Sequence, residues 1–439
     1  MMVLLIWSGA ENALAETLSI HQALERALLN NPGIERQRQQ VESEKLGESI
    51  AQAKRLPELG LEAGVTHYSD PTLVWPIHEP GSFPPFDDDV ANVGVNLKLP
   101  LYMGGKLVAS VNLAQKLTQS AELQLQASKQ ELMFNVVSTY GKSLQLQHLR
   151  DAMQHRIRNL ESQLRDVRKR FESGRVAEVD VARIKTRLSE ARYEMVALEQ
   201  GMNNSLQLLA TLLGDDQAPT VLDELPMPPL SSETGPSAWV EKALDRHPGL
   251  RQAQTGVQAA EQRIDIARGE RLPQLHMVGN SRYLESGSGE GQDEWLLGLE
   301  LSIPLFDGSA RRDRVSQAVI EKQVAQFELQ ELRDTIDYQV RVAYSDVTTD
   351  ELQLSVTEQG LEEAEEVLRI EKLRYSAGSS TITDLLGAEA DLWNARAKRT
   401  QAAYDVIISK SRLLKETGQI TPELFTQTGT ILNSEKEIR

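Results

Sequence analysis

A mostly apolar position recurs every seven residues along two long tracts. The first runs through Leu125, Leu132, Thr139, Leu146, Met153, Leu160 and Val167, the second through Val340, Val347, Leu354, Leu361, Leu368 and Tyr375. A sustained seven-residue repeat predicts helices supercoiled left-handedly against partners. Both tracts lie in proline-free blocks, Leu101 to Ala218 and Leu305 to Thr421, although the chain holds 17 prolines, so nothing interrupts the helices. Gly174 and Gly378 stand where a left-handed C-terminal cap is expected. Beyond them, apolar spacing in steps of three and four resumes through Val181, Ile184, Leu188, Ala191 and Met195, and through Leu385, Leu392, Val406 and Leu413. Each block is therefore predicted as a helical hairpin, with tips at about 173–180 and 377–384. At ~1.5 Å per residue, Leu107 to Phe171 would span roughly 100 Å, which predicts an elongated helical barrel or bundle rather than a globular core.

Elsewhere the period drops to two. Leu59, Leu61, Ala63 and Val65 alternate with Gly60, Glu62, Gly64 and Thr66; Val93, Val95, Leu97 and Leu99 alternate with Asn92, Gly94, Asn96 and Lys98. Leu275 to Tyr283 gives a ragged version, and Trp295, Leu297, Leu299, Leu301 and Ile303 a clear one. These patterns predict strands at about 58–68, 91–101, 274–284 and 294–306, each with one apolar and one polar face. The clear runs have about the ~9–11 residues of a membrane-spanning strand. Tyr68, Tyr102, Tyr283, Trp295 and Phe306 sit near their ends, as an interfacial aromatic girdle would. A soluble sandwich with packed apolar faces would alternate in the same way. Four strands cannot close a barrel, however, and lipid does not tolerate an open edge, so a membrane reading requires several copies of the chain.

The chain is a tandem duplication. Asn31-Pro32 matches His247-Pro248 and Arg55-Leu56-Pro57 matches Arg271-Leu272-Pro273 at an offset of 216; Pro100 matches Pro304, Tyr140 matches Tyr344, and Asp180 matches Asp384 at 204. The offset changes between Pro57 and Pro100, which locates a longer surface loop in the first half. The layout is then a secretory signal over 1–15, a first repeat over 16–218, a proline-rich extended linker over 219–236, a second repeat over 237–420 and a polar tail over 421–439. No apolar run is long enough for a spanning helix. Across 439 residues, 47 Lys and Arg against 64 Asp and Glu leave a net charge of −17, which argues against nucleic acid as a partner. There is no cysteine, hence no disulfide and no thiolate metal site.

Over Leu18 to Gly418 the assembled features resemble the TolC family of outer-membrane efflux proteins. The carriers are the opening stretch Leu18 to Pro32, the junctions Leu99 to Gly105 and Ile303 to Gly308, and the tip Tyr375 to Asp384. The resemblance implies a mainly α fold with membrane β: a homotrimer with four strands per chain in a twelve-stranded outer-membrane barrel, and coiled-coil helices in a periplasmic α-helical barrel. It implies a passive exit duct of a tripartite efflux or type I secretion system, in outer-membrane lipid, joined by a periplasmic adaptor protein to an inner-membrane transporter. A periplasmic coiled-coil adaptor or scaffold is the competing reading.

The resemblance places Asp180 and Asp384 at a constricted entrance and pairs Tyr375 with Asp180 as a latch. From the residues alone, the two aspartates read equally as helix caps and Tyr375 as a coiled-coil core position. Ser380 and Gly387 stand where some family members carry an arginine latch and a second acidic ring. Gly174, Arg175, Val176, Gly378 and Ser379 are the expected adaptor contacts, with ordinary turn chemistry as the alternative. His148 and His155 are two helical turns apart and too distant to share an ion. Asp87-Asp88-Asp89 reads as a solvated loop. No catalytic, cofactor or metal constellation is found, so the chain is not expected to be an enzyme.

Overall fold

The computed structural model describes residues 17–219, 221–230 and 235–426; the expected signal segment and the end of the tail lie outside them. The elements follow the duplication closely. Helices α1 (Ile20–Asn30) and α2 (Pro32–Ala53) return as α5 (Pro236–Arg246) and α6 (Pro248–Gly269) at the offset of 216. The long helices α3 (Lys106–Glu172) and α7 (Ala310–Ser376) repeat at 204, as do the starts of α4 (Glu178–Leu213) and α8 (Ile382–Glu416). Strands β1 (Glu58–Leu73), β2 (Phe86–Met103), β3 (Gln274–Ser286) and β4 (Gly291–Ser302) lie between them. Residues 74–85 join β1 to β2, whereas only 287–290 join β3 to β4, which places eight of the twelve extra residues of the first repeat in this loop and the rest in its longer strands.

The chain divides into two compact units, and one of them, formed by 39–124 and 249–332, carries the strands. Its sheet is antiparallel in the order β1-β2-β3-β4, so β2 and β3, from different repeats, pair with each other, while the outer edges of β1 and β4 pair with no strand among the described residues. The registers stack Leu61 on Val95 and Ser281, and Leu59 on Leu97, Gly279 and Leu297. Because side chains alternate with a period of two, one face is largely apolar, with Ser281 among its residues, and the other largely polar, with Val278 and Leu296 among its residues.

The strands run further toward the loops than their alternation suggests, and β4 stops sooner than expected. Pro304 has no N–H to offer a ladder and lies outside β4, ending the pairing at Ser302. Its counterpart Pro100 stays in β2 at a register irregularity, beyond which Tyr102 pairs with Leu275. Pro71 is likewise accommodated on edge strand β1, inside the irregularity between His67 and Thr72. After β2, Gly104 adopts φ +62°, and a side chain there would collide with the carbonyl oxygen of Gly269 at the end of α6. Only glycine permits both the backbone angle and the close approach.

The second unit comprises 17–38, 125–248 and 333–426 of the described residues and holds two apolar clusters. One gathers Leu24, Val136, Tyr140, Leu209, Leu213 and Ile407; the other, toward the tips, gathers Met153, Leu160, Val167, Ile184, Leu188, Leu368 and Leu385. Heptad positions of both long helices contribute, as the repeat predicts. Ser19 begins α1 with a reciprocal capping box to Gln22.

The described part of the linker is docked rather than free. Leu18 and Leu222 form a parallel bridge, and the buried Tyr140 hydroxyl lies 2.7 Å from the carbonyl oxygens of both Leu18 and Asp223, donating its proton between them. Leu222 and Leu225 join the core, so the proline-rich segment is held by apolar side chains that its composition hides. The expected polar tail also begins later than 421: Pro422–Phe425 forms a 3-10 turn with Phe425 buried, and Gln130 exchanges two hydrogen bonds of 3.1 Å with the backbone of Ile420.

Candidate functional site

Two regions draw together the residues singled out from the sequence. At the tips, the turns are built identically. The N–H of Gly174 bonds to the Phe171 carbonyl and that of Arg175 to the Arg170 carbonyl, both at 2.8 Å; Gly378 and Ser379 repeat this with Tyr375 and Arg374 at 3.1 and 2.9 Å. Both glycines have positive φ, +69° and +76°, completing Schellman caps on α3 and α7. Gly174, Arg175 and Ser379 are exposed on the turns, and Val176 packs partly against the tip cluster.

The returning helices start differently. Thr381 caps α8: its hydroxyl accepts the N–H of Asp384, and the Asp384 carboxylate accepts the Thr381 N–H at 3.0 Å and its hydroxyl at 2.7 Å. These bonds, led by that from the Thr381 hydroxyl, hold the Asp384 carboxyl below its ordinary range. Ser380 donates to Glu371 at 2.6 Å. In the first tip the cap position is Ala177, which has no side-chain bond to offer, and Asp180 instead lies 3.6 Å from Arg183. Of the two readings of the aspartates, capping thus describes Asp384 and not Asp180.

Tyr375 is half-buried against the tip cluster with the Arg170 guanidinium over its ring, 5.7 Å from the centroid. No hydrogen bond links Tyr375 to Asp180 among the described residues. The packing agrees with the coiled-coil position of Tyr375. Gly387 is partly exposed one turn into α8.

In the sheet, the apolar face runs from Tyr102 opposite Leu275 at one end to Tyr283 opposite Val93 at the other. Those eight steps along β3 span about 27 Å at ~3.4 Å per residue, close to the ~25 Å apolar band of outer-membrane barrels. Trp295 pairs with Ser281 on the same face and is 80% exposed. Tyr68 falls in the β1 irregularity, and Phe306 lies beyond β4, so neither has a ladder position on that face.

The polar face carries a cross-strand row that residue types alone do not disclose. Asn96 donates to Glu62 at 2.7 Å and accepts from Asn280, while Arg282 holds Glu294 at 2.9 Å. Alternation marks this face as polar, but register decides which residues meet.

His148 stacks 6.1 Å from Tyr404. Among the described residues, one group of possible ligands comes together, His67 with Asp88 and Asp89, exposed near a strand end, where the His67–Asp89 hydrogen bond of 2.9 Å links two cross-strand partners.

A family model described as outer membrane efflux protein matches residues 23–215 and 239–419. The chain is 26% identical over 417 residues to protein CyaE of Bordetella pertussis, covering 92% of this chain and 85% of that relative. It is 24% identical over 347 residues to outer membrane protein TolC of Vibrio cholerae, covering 77% and 79%. Among solved structures it resembles the outer membrane protein VceC of Vibrio cholerae with a TM-score of 0.76 at 19% identity, covering 91% of this chain and 96% of that one. It resembles CusC with a TM-score of 0.79 at 16% identity, covering 92% and 95%. The structural likenesses establish the fold, and the two stretches of the family match fall one on each repeat. The chain belongs to the outer membrane efflux protein family, a family of outer-membrane channels rather than enzymes.

Proposed function

We propose that three copies of the chain form the exit duct of a tripartite efflux or type I secretion system, with β1 of each copy pairing to β4 of the next. The observation that carries this reading is a four-stranded sheet with one largely apolar face and two edges unpaired among the described residues. In lipid such a sheet satisfies its edge N–H and C=O groups only by closing with other copies, and three copies give twelve strands. The apolar face then meets lipid, with Tyr102 at one rim and Tyr283 and Trp295 at the other, while Glu62, Asn96, Asn280 and Arg282 line water.

The long hairpins supply the periplasmic duct, and their tips supply its entrance and the contact with a periplasmic adaptor and, through it, an inner-membrane transporter. Asp180 is the better candidate for an acidic ring at the entrance, since Asp384 is engaged in its own cap. Nothing in a passive duct requires a substrate-specific site. The competing adaptor or scaffold reading lacks any account of the apolar sheet face and of the family match.

The test is the protein mass of the detergent-extracted particle, measured by light scattering with the detergent subtracted, followed by conductance in a planar bilayer. Three chains per particle and a conducting pore are expected. A monomer that stays in solution without detergent would end the duct reading.

A further inference from the structure

The two tips share one backbone but not one charge. Between residues 165 and 187 the first tip has eight Lys and Arg against four Asp and Glu; the corresponding residues 369–391 have three against four. In a chain of net charge −17, the first tip is therefore a local reversal of sign.

The cations are also held differently. At the second tip Arg369 bonds to Glu366 at 2.7 Å, Arg374 pairs with Glu371, Asp384 is consumed by its cap, and of the three cations Lys372 alone makes no ion pair among the described residues. At the first, Arg183 and Arg187 pair along their own helix, and Arg170 lies over Tyr375. Arg165, Arg168, Lys169, Arg175 and Lys185 are exposed and make no ion pair among the described residues. The dipole of α3 accounts for Lys169 in its last turn. It does not account for Arg175, in the turn itself, or for Lys185, two turns into α4. Phe171 and Val179, 41% and 50% exposed, lie among these cations and add apolar anchors of the kind protein interfaces use.

We infer that the first tip grips its partner electrostatically and that this partner is a protein presenting acidic side chains, whereas the second tip contributes a turn whose arginines are paired within it. The inference rests on the exit-duct reading and names the chemistry of its adaptor contact. Complementary charge across such a rim steers association and selects among partners. An adaptor with a basic tip would meet like charge here and be rejected.

The test uses the full chain in detergent, with each purified periplasmic adaptor encoded in the same genome as probe and phosphatidylglycerol vesicles as a second probe. Arg168→Glu, Arg175→Glu and Lys185→Glu are combined in one variant whose particle mass is checked, and Arg175→Glu alone serves as a milder change. The triple reversal is expected to weaken the tightest adaptor about tenfold or more at low salt, with the difference shrinking as salt screens it. Replacing acidic residues at that adaptor's tip by lysine should restore binding to the reversed chain.

Affinity within about twofold of wild type at low salt would overturn the inference, because three reversed charge contacts together would exceed that. Charge-dependent binding to the vesicles with none to any adaptor would overturn it in favour of a lipid surface. Conductance of the wild-type chain separates the two levels. A conducting chain whose adaptor affinity ignores the reversal keeps the duct and loses the acidic partner, whereas a non-conducting chain loses both.

Discussion

Glu389 on α8 is half-buried against α3, where the Gln163 side-chain N–H donates to it. Burial, the larger influence, pushes its carboxyl above the ordinary range, while the Gln163 bond pulls the other way. The Gln163 carbonyl oxygen beside it is buried and has no partner among the described residues. Glu389→Gln removes the buried charge and brings an N–H within reach of that oxygen. Stability at neutral pH is expected to rise by ~0.5–1.5 kcal/mol, the usual worth of one hydrogen bond. Because the folded-state carboxyl titrates high, the native glutamate costs nothing below its unfolded value and progressively more as pH rises through the folded value. The gain should therefore fade in acid. Urea melts at neutral and acidic pH check this, and an equal gain at both would refute it. The pair was not legible in the sequence, because it depends on which faces of two helices more than 200 residues apart come together.

At the scale of elements, the two tips form an internal comparison. Their Schellman turns were legible, since Gly174 and Gly378 follow each seven-residue pattern at the same remove. Their helix starts were legible only in part: Thr381 with Asp384 is a recognisable capping pair, but an aspartate six residues after the glycine looks alike in both tips. What separates them is the cap residue, Thr381 in one and Ala177 in the other. Thr381→Ala is expected to cost the start of α8 about 1 kcal/mol and so raise amide exchange there about fivefold, leaving α4 unchanged. Asp384 has a depressed folded-state carboxyl, so its contribution is present above the unfolded value and is lost as pH falls through the folded one. Acid should accordingly fray the second tip before the first, as peptic cleavage sites would report. Simultaneous fraying would mean that the cap is not what holds α8.

For the whole molecule, the duplication and both periodicities were legible because they depend only on local side-chain order. The ends of the strands were not, since Pro100 and Pro304 look equivalent until pairing shows one absorbed by an irregularity and the other ending a ladder. Nor was the pairing of β2 with β3, which joins the repeats and leaves β1 and β4 at the edges of the sheet. That arrangement makes one residue step decisive. Leu299 pairs with Met277 on the apolar face and is 68% exposed, while Glu300 points to the opposite face. If the apolar face meets lipid, Leu299→Lys should cost ~2–4 kcal/mol in vesicle-refolded protein, whereas Glu300→Lys should fold normally and shift the open pore toward anions. Urea unfolding in vesicles measures the first effect and reversal potentials across a bilayer the second. The two substitutions introduce the same side chain at neighbouring positions, so lysine itself is controlled for. Equal tolerance of both would mean that neither face is buried in lipid, and the closed barrel would have to be abandoned.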